Sequence, residues 1–229
     1  MSRNKSLKFI SSFVFILVIN FSNCDRDKGI NSPELTATAD YVLTFESTWS
    51  GTTHPTDFPA SAHFSGLIGA THNSDISFWQ EGQLASLGIK DIAERGLGEQ
   101  LRTKIATAIQ NNLADEELLN GGIATSPGSV SFSFKIRSEF PLITVVSMIA
   151  PSPDWFIGVS NLSLVENGQW IDEKVIEIYA FDAGTDSGIS YISTDLVTTP
   201  QENISQIQEA PFKVNNEIPS IGTFKIVRQ

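Results

Sequence analysis

Three aspartates fall in two short, turn-rich blocks of this 229-residue chain. Asp154 closes the run Pro151-Ser152-Pro153-Asp154 between two apolar segments, while Asp182 and Asp186 flank Ala183-Gly184-Thr185. Gly184 permits the sharp turn that would bring the second pair of carboxylates together. Calcium takes roughly six to eight oxygens, several of them carboxylate, with carbonyls and water completing its shell. Three Asp on two loops would offer one cation three negative charges, and would repel one another without it. Asp is equally frequent at turns as a cap for backbone N–H groups, and spacing alone leaves both readings open.

The other residues able to do chemistry are fewer. His54, His63 and His72 are the only histidines and stand nine residues apart. Imidazole is the commonest transition-metal ligand, so a three-histidine zinc or copper site is an alternative, although no HExxH accompanies it. There is no GxSxG and no glycine-rich phosphate loop between a strand and a helix, so nucleophilic hydrolysis and nucleotide chemistry have no motif to stand on. Trp155, beside Asp154, is a candidate partner contact at a loop tip. Glu116 and Glu117 read as a solvated helix end.

Charge narrows the partners. The chain carries 15 basic and 26 acidic side chains, a net −11. The first 23 residues hold three of the positives and no acid, so the remainder stands at −14. Such a surface repels phosphate backbones, which argues against nucleic-acid binding, and it suits cations.

The N-terminal residues read as an address. Met1–Lys8 is short and basic, and Phe9–Ile19 (FISSFVFILVI) is almost wholly apolar. That order, with a cleavage region after it, is a signal peptide over residues 1–23. The apolar run falls well short of the roughly 20 residues that span a bilayer. Cys24, the only cysteine, excludes an internal disulfide and a thiolate zinc cluster. Its place directly after the apolar run looks like the lipobox of bacterial lipoproteins, with Phe21 and Asn23 where Leu and a small residue are usual. The resemblance implies lipidation at Cys24, a flexible tether over 24–39, and a protein held at the outer membrane, the cell surface or a periplasmic face.

From Asp40 to Gln229 short β-rich segments alternate with turn signals. Tyr41–Phe45, Ala62–Ile68, Ile76–Trp79, Val130–Ile136, Leu142–Ile149, Phe156–Val165, Lys174–Phe181 and Thr223–Val227 make about eight strands. Between Ile89 and Leu113 the apolar residues Leu97, Leu101, Ile105, Ile109 and Leu113 recur every fourth position, close to a helical repeat, with Gly96 and Gly98 splitting the segment. The expected architecture is an all-β sandwich with one inserted helical segment.

Several blocks resemble the spondin N-terminal domain of F-spondin-like matrix proteins. They are His54–Ser65 (HPTDFPASAHFS), Met148–Val159 (MIAPSPDWFIGV) and Tyr179–Gly188 (YAFDAGTDSG), with Thr48-Trp49-Ser50, Gly69–His72 and Ala85–Gly88 around them. The resemblance covers 40–229. It implies a C2-like antiparallel sandwich, a calcium ion held by Asp154, Asp182 and Asp186, histidines engaged in structural hydrogen bonds, and no enzymatic activity. It points to an extracytoplasmic binding or adhesion domain whose partner is an extracellular or cell-surface protein or matrix component. The alternatives are a secreted metalloenzyme using His54, His63 and His72, or a C2-like calcium-dependent lipid binder, for which Trp155-Phe156 is the apolar candidate.

Overall fold

A computed structural model describes residues 35–229. Cys24 and the expected signal peptide lie outside the described residues. The chain runs β1 (Thr38–Ser47), β2 (His63–Phe64), β3 (Leu67–His72), α1 (Leu87–Arg95), α2 (Glu99–Gln110), β4 (Ala114–Asn120), β5 (Gly128–Arg137), β6 (Leu142–Ala150), β7 (Trp155–Ser163), β8 (Val165–Glu166), β9 (Gln169–Trp170), β10 (Glu173–Ile178), β11 (Phe181–Asp182), β12 (Ser205–Gln206) and β13 (Gly222–Arg228). Eight of these strands have six residues or more. One sheet orders β10-β13-β1-β5; the other orders β12-β11-β7-β6-β3-β4, with β2 also on β6. The strand pairs of both sheets are antiparallel.

Alternation explains the first sheet. Tyr41, Leu43 and Phe45 of β1 point inward with Phe224 and Ile226 of β13 and Phe134 and Ile136 of β5. They meet Leu67, Ile143, Val145, Ile157 and Val159 of the second sheet in one core. The second sheet does not alternate because both its faces are covered. Ile68, Ala70, Val146 and Phe156 point away from the sandwich and pack beneath Ile89, Ile92, Leu101 and Ile105 of the two helices. This is why Leu142–Ala150 reads as an unbroken apolar run: alternate residues serve two different cores.

The helical segment breaks where the glycines predict. Gly96 and Leu97 donate their N–H groups to Ile92 and Asp91 carbonyls, closing α1. The four-residue repeat only partly matches the buried face. Leu101, Ile105 and Ala108 are buried, while Leu97 and Ile109 are exposed, because steps of four drift about 40° per step around a helix.

Three expectations change. Ile76–Trp79 forms no strand; Phe78 and Trp79 instead turn inward under the helices as part of the second core. Glu116 and Glu117 lie on β4 rather than a helix end. There Leu118 is buried, Glu117 pairs with Arg102 at 2.8 Å, and Glu116 accepts the Lys135 N–H. Leu35–Ala39, expected in the tether, belong to the domain: Trp170 Nε1 donates to the Thr36 carbonyl at 3.0 Å, and β1 begins at Thr38.

Gly69 shows how closely the central strands approach. A Cβ there would stand 1.8 Å from the Thr144 carbonyl oxygen. Gly69→Ala must therefore separate β3 from β6, at a cost of about 3 kcal/mol or more. Thermal denaturation should show a loss of roughly 6–12 °C. Gly121→Ala, where a Cβ meets nothing within 4 Å, should stay within about 0.5 kcal/mol of the parent; equal losses in both would overturn the packing argument.

Candidate metal centre

The β6–β7 turn and the segment after β11 meet at one end of the second sheet. Ser152 Oγ donates to the Ile149 carbonyl at 2.6 Å and accepts the Trp155 N–H at 3.1 Å, so the turn is pinned from within. Pairing of Asp182 with Trp155 and of Phe181 with Phe156 then lays β11 against the start of β7. Asp154, the residue just before that pairing, is fully buried.

Its carboxylate is asymmetric. Oδ2 accepts three hydrogen bonds, from the Thr185 N–H at 2.7 Å, the Thr185 hydroxyl at 3.1 Å and the Asp186 N–H at 3.0 Å. Oδ1 is buried and has no partner among the described residues. Burial pushes the Asp154 pKa up and the nearby Asp186 charge adds to this, while the three donors oppose it. An orphaned anionic oxygen in a dry site is costly, and it calls for a proton or a cation.

Asp182 stands beside it. Burial and then the Asp154 charge raise its pKa to about 6, helped by Glu202 and opposed by the Gly184 N–H and the Trp155 side chain. The Gly184 N–H reaches Asp182 Oδ1 at 2.7 Å, and Gly184 takes a φ of +71° that an L side chain would resist. Asp186 uses both oxygens as loop acceptors, from the Gly188 N–H at 2.7 Å and the Leu196 N–H at 2.8 Å. So the turn-cap reading describes Asp186 well and Asp154 only in part. Among the described residues no group of three or more His, Cys, Asp or Glu is arranged to hold a metal ion. A cation at Asp154 would have to draw much of its shell from carbonyls and water, which suits calcium rather than zinc.

Two expectations fail on burial. Trp155 is 3% exposed, wedged edge-on against Tyr191 and Phe212 at 5.3 Å each, so it is an anchor and not a partner contact. Phe156 is buried too, which removes Trp155-Phe156 as a lipid-facing pair. The histidines also do not gather. His54 packs edge-on against Phe212 and bonds Thr53 Oγ1; His63 bonds the Ser61 carbonyl; His72 is held by the Asn73 carbonyl and Thr144 Oγ1. Burial lowers the pKa of His54 and His72, keeping them neutral structural groups. The three-histidine metalloenzyme loses its ligand set. Sequence reading missed Ser152, Thr185 and Glu202. Thr185 sits inside a recognised block, but Glu202 lies outside it and is brought in by tertiary contacts, its N–H donating to the Gly184 carbonyl at 2.9 Å.

The sequence model of the family described as Spondin_N matches residues 39–217. The chain belongs to the Spondin_N family. Rat (Rattus norvegicus) Spondin-2 is 35% identical over 173 residues, 74% of this chain and 52% of the relative. Human (Homo sapiens) Spondin-2 is 34% identical over 175 residues, 75% and 53% of the two chains. Chicken (Gallus gallus) Spondin-1 is 35% identical over 201 residues, 83% of this chain and 25% of its own. This Spondin_N chain thus spans about half the length of the Spondin-2 relatives it matches. No helix among its described residues is long and apolar enough to cross a membrane.

The carboxylates give the metal-free domain a pH signature. The Asp182 carboxyl ionises near 6 in the fold but near 3.9 in an unfolded chain. The folded state therefore holds the proton more tightly, and this stabilisation, complete below about pH 4, is lost as pH rises through 6. Chemical denaturation in a chelator should show stability falling over that window, with a smaller fall in Asp182→Asn. A profile identical in the two proteins would show that Asp182 titrates normally.

Proposed function

We propose that the domain is an exported binding or adhesion module that takes one calcium ion at Asp154, Asp182 and Asp186 and is anchored through Cys24. The observation that carries the calcium reading is the buried, unpartnered Asp154 Oδ1 beside a second carboxylate driven towards protonation. Asp154 and Asp182 would supply the anionic ligands, and Asp186 adds charge while fixing the loop. Bound there, calcium would neutralise the carboxylates and tie the β6–β7 turn to the segment after β11. Family membership supports binding rather than catalysis. Its partner, an extracellular or matrix component, is proposed from the Spondin-1 and Spondin-2 relatives. Its net charge of −11 is unsuited to nucleic acid.

Calcium binding only to the fold at about 100 times its Kd stabilises by about 2.7 kcal/mol. For a domain of this size that is a rise in Tm of roughly 5–10 °C. Magnesium should do far less because it sheds water reluctantly. Asp154→Asn keeps an oxygen for the loop N–H groups and removes the charge, so it should abolish most of the calcium shift. Asp75→Asn, in the turn at the other end of the second sheet, should leave it whole. No shift in the parent, or an equal shift in Asp154→Asn, would sink the calcium reading.

The anchor is tested separately. Mass spectrometry of the natively purified protein should find residue 24 as the N-terminus with acyl chains on Cys24. Cys24→Ser should release the protein from detergent-extractable membranes. A mature chain beginning elsewhere would end the lipoprotein reading.

A further inference from the structure

The segment that Asp186 pins carries four large apolar side chains into solvent. Ile189 is 84% exposed, Ile192 86%, Leu196 60% and Val197 69%. No other stretch of nine residues among those described presents as many. Loose loops often expose an apolar residue, but this loop is not loose. The Asp186 carboxylate holds the Gly188 and Leu196 N–H groups, and the Ser187 N–H reaches the Leu196 carbonyl at 2.8 Å. Ser193 Oγ accepts the Ser190 N–H at 3.0 Å, closing a turn at the tip. Tyr191, between the two exposed isoleucines, is buried against Trp49, Trp155 and Phe212 at ring distances of 5.6, 5.3 and 5.9 Å. The fold thus fixes the loop at its root and centre while holding Ile189 and Ile192 outward.

Area and charge select what covers this tip. Four such side chains amount to on the order of 500 Å² of apolar surface, at the upper end for a monomer. That is short of the ~800 Å² that each side of a stable protein pair buries. Two copies would also bring like-charged acidic surfaces together. No Lys or Arg occurs between Lys174 and Lys213, whereas Asp195 lies in the loop and Asp57 borders the hollow beside Tyr191 and Ile192. An anionic lipid or polymer is repelled by that rim. A zwitterionic surface is not: its ammonium groups can face the acids, Ser190, Ser193 and Thr194 can meet its phosphates, and the four apolar side chains can enter the acyl boundary. We infer that the Ile189–Val197 tip is a lipid-insertion loop that docks the domain on a phosphatidylcholine-like membrane surface. The inference rests on the loop's own hydrogen bonds and does not require the calcium reading.

The chain's single cysteine allows a direct test. In full-length Cys24→Ser, an environment-sensitive fluorophore is placed at Ile192→Cys, or at Ser74→Cys in the turn at the other end of the second sheet. Phosphatidylcholine vesicles carrying acyl-chain nitroxides are then added, in chelator and in calcium. The label at 192 should shift to the blue and be quenched while that at 74 is not. Adding Ile189→Ser and Leu196→Ser should weaken vesicle binding read at 192 by at least tenfold, since burying each such side chain is worth about tenfold or more. An unquenched label at 192, equal quenching at both sites, or unchanged binding in the Ser variant would overturn the proposal. So would a label at 192 already buried by self-association before vesicles are added. Quenching in chelator with no calcium-induced rise in Tm would retain the insertion loop and discard only the calcium site.

Discussion

Burial of the Asp154 carboxylate at the foot of β7 is the constraint on which this end of the molecule depends. The Thr185 and Asp186 N–H groups and the Thr185 hydroxyl offset part of the cost of burying it by converging on one of its oxygens. Those donors belong to the segment after β11, so satisfying Asp154 fixes where that segment runs. Gly184 makes the approach feasible: a Cβ there would stand 2.3 Å from the Glu202 carbonyl oxygen. Asp186 then repeats the device one step out, using its carboxylate to hold the next loop. Each acid organises the backbone that follows it.

The layered core gives these loops a rigid base. The β6 and β7 strands are buried on both faces, by the first sheet on one side and by α1 and α2 on the other. Trp155 continues the base outward by joining Tyr191, Phe212 and, through them, Trp49 in an aromatic cluster under the loops. Large side chains with few rotatable bonds order a loop at low entropic cost. Such an arrangement lets surface loops carry function on a scaffold that does not move with them.

The polar groups of the loop end are largely spent on holding backbone. Its three aspartates all accept backbone N–H groups, Asp154 through Oδ2 while its Oδ1 has no partner, and its hydroxyls close turns. His54 lies next to the aromatic cluster but is buried, neutral and committed to Thr53. The region matched by the Spondin_N family, 39–217, contains all three aspartates.

Composition and pattern determined much by themselves. Strict alternation in Val130–Ile136 and the looser, β-rich pattern of Tyr41–Phe45 marked the half-buried strands, because a pleated strand shows one face to the core regardless of its neighbours. Gly96 and Gly98 marked the helix break for an equally local reason, whereas spacing alone left the three aspartates readable as turn caps or as cation ligands. What needed the tertiary structure was everything set by distant neighbours. The acidic sequence of Ala114–Asn120 becomes a strand only because β3 offers a ladder for it. Ile76–Trp79 looks like a strand and is instead core beneath the helices. Trp155, expected at a loop tip, is buried, and Ile192 is held in water. Burial is a property of the packed ensemble of elements, and no window of sequence contains the Tyr191 cluster that decides which of the two faces out.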